Sequence, residues 1–432
     1  MTPSEERGLS RRTLIKAALA IGGSSALTAC QNAELSGTPS PADGQQYPRG
    51  DPSALPDGQH IWDEFLVRSV HGTETQSQHQ LILGLKYTGS VPPTDDDRAT
   101  VESALAQLER AFRWGSGADT SGSINDGLLF LIGYAPRYLS SVDITVDGLQ
   151  TPETMLEALE EDPSLAAPFD AVLLLDSDYA SILLAAEQAL FGDAETLNGL
   201  SVDHRLTDQF EIVERRTGVL GKGRPAETID NENIPENAPL SMGFRAGFEN
   251  SLPSEEIATR TDGPYPGATT FVLSRVRTDL ESWYDQPHED RRKEMYCPAH
   301  THEEVGEIGD RLGSHSKITE ENVDTMAELA EEHGIIGHAQ KVAAARSDDF
   351  TTQILRRSEG VATDTVHGST FNFSSIQDRT EKFVEIRTAM SVDSYDLDVP
   401  EDKHGIVSYL ETISRSTYFV PPRADRALPS NR

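Results

Sequence analysis

Apolar residues along this chain of 432 residues recur with two periods, and their order predicts the elements. The stretch 79–89, HQLILGLKYTG, reads as a strand, and 98–112, RATVESALAQLERAF, as an amphipathic helix. Apolar runs at 127–136, GLLFLIGYAP, and 170–178, DAVLLLDSD, predict further strands. YASILLAAEQALFG at 179–192 is a helix ending on glycine, and QFEIVERRTGVLG at 209–221 a closing strand. A similar order then returns: strand into helix at 268–284, a strand at 367–377, a helix at 378–392 and a last strand at 413–423. Strands mixed with helices, twice over, predict an α+β fold of duplicated ferredoxin-like halves, of the dimeric α+β barrel type, at about 59–225 and 226–432. A long insertion at about 285–365 interrupts the second half, and function concentrates in such insertions.

Charge bears on where such a fold works. The formal net charge is -34, and the acids are spread along a chain with far fewer lysines than arginines. A dispersed acidic surface poor in lysine suits concentrated salt, where ions screen carboxylate repulsion, so the composition points to a halophilic protein. No basic patch with interleaved aromatics occurs, which argues against nucleic acid as a partner.

At the N-terminus, Arg11 and Arg12 precede an apolar run that is too short and too rich in small residues to span a membrane, ending in Leu27-Thr28-Ala29-Cys30. Residues 1–29 look like a twin-arginine lipoprotein signal, which would export the folded protein and lipidate Cys30, anchoring it on the outer face of the cell membrane. Positions 30–58, rich in Pro, Gly and Ser, predict a disordered tether. Cys297 is then the one cysteine of the mature chain, so no internal disulfide is expected.

Candidate chemistry gathers in two places. In GFRAGFEN, 243–250, Gly243 and Gly247 let the backbone approach a ligand, yet Ala246 between them offers only a methyl group. In GIIGHAQKVAAARSDDFTTQILRRSEG, 334–360, His338 lies between an apolar Gly-Ile-Ile-Gly and an alanine-rich stretch. A neutral imidazole in such a pocket wall is a good axial ligand for haem iron, although a histidine on an apolar face also serves as a satisfied core residue. Arg346, Arg356 and Arg357 follow; their guanidinium forks suit a haem propionate or a polarised peroxide oxygen, with a solvated arginine pair as the alternative. CPAHTHEE, 297–304, crowds Cys297, His300, His302 and Glu303, ligand types for a transition metal in a spacing that matches no structural zinc pattern; a solvent-exposed loop is the other reading. No Ser-His-Asp arrangement, phosphate loop or dinucleotide fingerprint is present.

GFRAGFEN resembles the Gly-x-x-Asp-Gly-Thr-x-Asn motif of the dye-decolourising (DyP-type) haem peroxidases. TTFVLSRVRTDLESW, His338, ILRRSEG, STFNFSSIQDRTEKF and TYFVPP follow in that family's order, so the resemblance spans about 75–425. It implies haem b in the second half, with His338 as the proximal iron ligand and Arg356 as the distal arginine, or Arg357 if the register shifts by one. It further implies Asp378 as acceptor of the other imidazole N–H, with Gly243, Gly247 and Arg346 bordering the cofactor. Hydrogen peroxide and a reducing substrate would be the small-molecule partners, and a homo-oligomer is compatible with the sequence. Two departures matter. The family's distal acid, which shuttles the peroxide proton, is Ala246 here, and its His-Ile-Arg is His338-Ala339-Gln340. Glu249 replaces the acid only if the loop turns inward. An arginine alone still stabilises charge on the leaving oxygen, while loss of positioned proton transfer lowers the rate by about 10² to 10⁴. Three functions fit: a haem peroxidase of weak or altered activity, a non-catalytic haem-binding or haem-delivery lipoprotein, and a haem-free module on the same fold.

The anchor is tested by cell fractionation. Cys30→Ser is expected to release mature protein into the medium, and lysine at both Arg11 and Arg12 to hold it inside the cell. Either variant fractionating with membranes as the parent does contradicts the anchor.

Overall fold

The computed structural model describes residues 47–69, 71–117, 124–219, 226, 230–364, 366–391 and 394–430. The signal, Cys30 and the start of the tether lie outside them. Eight strands form the frame: β1 (His79–Tyr87), β2 (Leu129–Tyr134), β3 (Ala171–Ser177), β4 (Phe210–Val219), β5 (Thr269–Thr278), β6 (Leu355–Asp364), β7 (Gly368–Gln377) and β8 (Leu410–Val420). Their spatial order is β4-β1-β3-β2 in the first half and β8-β5-β7-β6 in the second, all pairs antiparallel. In each half the first strand lies between the fourth and the third, the order of a ferredoxin-like sheet. The half-sheets meet at two narrow seams, Phe419 beside Tyr134 and Val219 beside Val361, so the strands close into a barrel.

The first half is filled. Its first helix, α1 (Asp95–Ala111), starts where Thr94 and Asp97 form a reciprocal capping box with three aspartates in the first turn. Val101, Leu105 and Leu108 recur at helical spacing and are fully buried with Leu81, Leu83, Leu131 and Leu173 of the sheet. A later helix, α2 (Ala180–Phe191), adds Ile182 and Leu190 and ends at Gly192. Each such side chain contributes about 1.5–3 kcal/mol on burial, which makes this half the apolar anchor of the fold.

Two expectations need correction. The second half has four strands and not three, because β6 occupies the end of what reads as the insertion. The tether also ends earlier than residue 58. Tyr47 packs against Phe112 and Tyr179, the Gly50 amide donates to the Arg110 carbonyl, and the Arg423 amide donates to Asp57 O at 2.7 Å. One aromatic ring and a few backbone hydrogen bonds hold a segment whose composition alone predicts disorder.

Neighbouring residues of β6 point to opposite faces. Arg357 turns into the core at 1 % exposure, donating to Asp63 Oδ1 at 2.9 Å, to His60 O at 3.1 Å and to the Glu255 carboxylate. Glu255 also accepts the Trp62 and Asp63 amides, so this group fastens the 60–63 segment to the barrel. Arg357→Met leaves the Glu255 carboxylate buried beside Asp63 without its cation. Chemical denaturation at fixed salt is expected to show a loss of about 3–5 kcal/mol. A loss below about 1 kcal/mol, typical of a surface pair, contradicts this role.

Candidate functional site

Register along the second half-sheet brings one set of side chains to a common face. Thr412 of β8, Val276 of β5 and Phe371 of β7 lie in one row, and Arg415, Ser274 and Phe373 in the next. A bulge between Thr412 and Ser414 carries Arg415 to the same face as Thr412. Arg356 of β6 opposes Ser375 of β7, two residues from Phe373 and therefore on that face too. Two helices cover it: α3 (His338–Ala344), with His338, Ala339 and Val342, and α4 (Glu381–Ala389), with Phe383, Ile386 and Arg387. The helices stand off the sheet, and with the 240–248 loop they enclose a cavity of about 1780 Å³, its open mouth included.

His338 is the first residue of α3, and two glycines set its position. A β-carbon on Gly337 would overlap the Tyr296 carbonyl, and one on Gly405, at φ 74°, would lie 3.0 Å from the His338 amide nitrogen. The Gln340 side chain accepts the Gly337 amide and donates to the Asn322 carbonyl, so it braces the helix start and does not line the cavity. The imidazole is half-buried and lines the cavity, while its Nδ1 is buried without a hydrogen-bond partner among the described residues. Burial first, and then the positive charges of Lys341, Arg356 and Arg387, push its pKa down to about 3. The ring is therefore neutral at neutral pH and keeps a lone pair for a ligand. Lys341, one turn along, is fully buried and donates to the carbonyls of Met390 at 2.7 Å and His404 at 2.6 Å.

Arg245, Arg346, Arg356, Arg387 and Arg415 line the cavity, and among the described residues no aspartate or glutamate does. In a chain of net charge -34 this wall is an inversion. Glu161 of the first half holds Arg415 in a two-pronged pair at 3.0 and 2.7 Å and lies 3.8 Å from Arg387. Arg346 donates to Asn250 O at 2.7 Å and stacks on Phe350, and Arg245 lies over Phe248. The remaining walls are mostly apolar, so the cavity suits an apolar ligand that carries negative charge.

Of the residues read from sequence, His338, Arg346, Arg356 and Gly247 line the cavity. Gly243 has the expected positive φ, 81°, but sits behind the wall against Tyr284. Arg356 lines the cavity and Arg357 does not. Asp378 is a correction: it follows the end of β7, its carboxylate pairs with Lys382 at 3.0 Å, and it does not line the cavity. Glu249 is exposed, 3.8 Å from His315, and leaves the place of the acid to Ala246, which does line the cavity. In the crowded cluster, Cys297 and His300 are buried while His302 and Glu303 are exposed, and among the described residues no three such groups are placed to hold a metal. Arg245, Arg387 and Arg415 were missed; the place of Arg245 in the glycine motif, helical spacing in EKFVEIRTAM and strand alternation in ISRSTY were the available signals.

The fold is that of the DyP-type peroxidases. Similar solved structures include a dye-decolorizing peroxidase from Bacteroides thetaiotaomicron (TM-score 0.51, 12 % identity, 83 % of this chain and 97 % of that one). A protein from Shewanella oneidensis gives 0.54, with 14 % identity over 83 % and 96 % of the two chains. A variant of DypB from Rhodococcus jostii RHA1, in complex with heme, gives 0.50, with 13 % identity over 84 % and 98 %. No curated protein matches the sequence. At such identities the likeness extends to the fold alone, whereas a sequence-family model covers residues 77–422, and by it the chain belongs to DUF7405, a family of unknown function.

Proposed function

We propose that this protein binds haem in the second-half cavity, where His338 would hold the iron, and that its reaction with hydrogen peroxide is attenuated. The observation that carries the proposal is the neutral, cavity-facing His338 in an apolar wall studded with arginines and free, among the described residues, of carboxylates. The residues fit the group. The glycines at 337 and 405 fix the backbone of the ligand histidine, the aromatic and aliphatic walls suit a macrocycle, and the arginines suit its propionates. The haem complex of the Rhodococcus variant, on the same fold, supports the same reading. Bound haem, of the b type in this proposal, would supply an iron centre that exchanges electrons and takes small ligands.

The chain's own groups then set the limits. Arg356 offers a permanent cation to charge developing on a peroxide oxygen. Ala246 moves no proton, and Glu249 points to His315 in solvent, so a positioned acid–base group is missing where the glycine loop meets the cavity. On this proposal the protein works outside the cell, lipid-anchored through Cys30, with a reducing substrate as its second partner.

Hemin titration in molar salt tests the binding. The parent is expected to give a Soret band, and His338→Ala to weaken or abolish it. No band in the parent contradicts the proposal, and an unchanged band in the variant moves the ligand elsewhere. The missing acid has its own test. Ala246→Asp is expected to react with peroxide faster than the parent, by up to about 10²-fold, and the gain should shrink beside Arg356→Leu, because both groups act on one developing charge. Stopped-flow rates of the four members of this cycle decide it; an aspartate variant no faster than the parent contradicts the account of position 246.

A further inference from the structure

His338 stands apart from most metal-binding histidines at its second nitrogen. Such residues donate that N–H to a carboxylate, carbonyl or water, which makes the ring a stronger electron donor to the metal. Here Nδ1 is buried and has no acceptor among the described residues, and Asp378 is occupied by Lys382 outside the cavity. The charges that act on the ring are positive and come from three directions: Lys341 on its own helix, Arg387 on the facing helix α4, and Arg356 on the sheet. Glu161, 3.8 Å from Arg387, is already engaged by Arg415. Glu161 offsets one of the five wall arginines, and the remainder still outnumber the two propionates of a haem, so the cavity stays cationic once loaded.

An iron–porphyrin core carries one net positive charge as iron(III) and none as iron(II). A cationic frame of low polarity therefore disfavours the oxidised form, and a ring without an anionic hydrogen-bond acceptor donates too little to offset this. Ala246 points the same way, since peroxide cleavage needs a proton carrier and binding of a neutral diatomic molecule does not. Resting on the haem reading, we infer that the cavity holds haem in the reduced state and presents ferrous iron to neutral diatomic ligands. One electron enters from an external one-electron donor, which is oxidised; no bond breaks and no proton moves.

Spectroelectrochemistry of the haem-loaded protein in molar salt tests this, with ascorbate as donor and carbon monoxide as probe. The parent is expected to turn ferrous with ascorbate and then to shift its Soret band with carbon monoxide. Arg387→Gln and Arg356→Gln should each lower the ferrous-to-ferric ratio at fixed potential about tenfold, or about 59 mV for a one-electron couple, and Arg387→Lys should restore it. Two cations on separate elements keep the test sound if one variant does not fold. A loaded parent that ascorbate leaves ferric, or midpoints unmoved in both glutamine variants, overturns the inference and leaves haem binding standing. Absence of any Soret band overturns the proposed function, and this inference with it.

Discussion

A sheet face carrying Val276, Phe371, Phe373 and Leu410 must be covered, and in the second half it is covered without being filled. In the first half α1 and α2 send fully buried leucines and isoleucines down onto the sheet. In the second, backbone contacts at Gly337 and Gly405 fix where α3 begins, and α4 faces the sheet with Phe383, Ile386 and an arginine. The cavity is what this stand-off leaves. Its low polarity governs the rest, because charges interact more strongly where water is excluded.

The charge arrangement divides labour between the halves. The exterior carries the large acidic excess, while the cavity wall carries arginines. One counterion, Glu161, comes from the other half and ties Arg415 and Thr412. The first half thus supplies a rigid apolar frame and an anchor for the cations, and the second supplies the groups that would meet a ligand.

Much of this was legible in the chain. Strands β2 and β3 announce themselves as apolar runs because both of their faces are buried. β6 hides, because LRRSEGVATD places one arginine in the cavity wall and the next in a buried ion-pair group, and a run of charges reads as a loop. His338 and the glycine loop are local signals in the sequence, and the structure brings His338, Ala246 and Gly247 to the cavity wall. Arg387 and Arg415 were not found, since their place in the cavity wall depends on which side α4 presents and on a bulge in β8. Asp378 was misassigned for the same reason: its place in sequence, just before a helix, gives no hint that Lys382 one turn on would hold it.

The central claim is that a neutral His338 in a cationic, apolar cavity is a ligand for haem iron. The most direct measurement is a crystal structure of the protein loaded with hemin in high salt. The account predicts haem density inside the cavity lined by α3, α4 and the second half-sheet, with its iron bonded to the His338 imidazole. Density for haem at another histidine, or a cavity without haem in crystals that absorb as a haem protein, would contradict it.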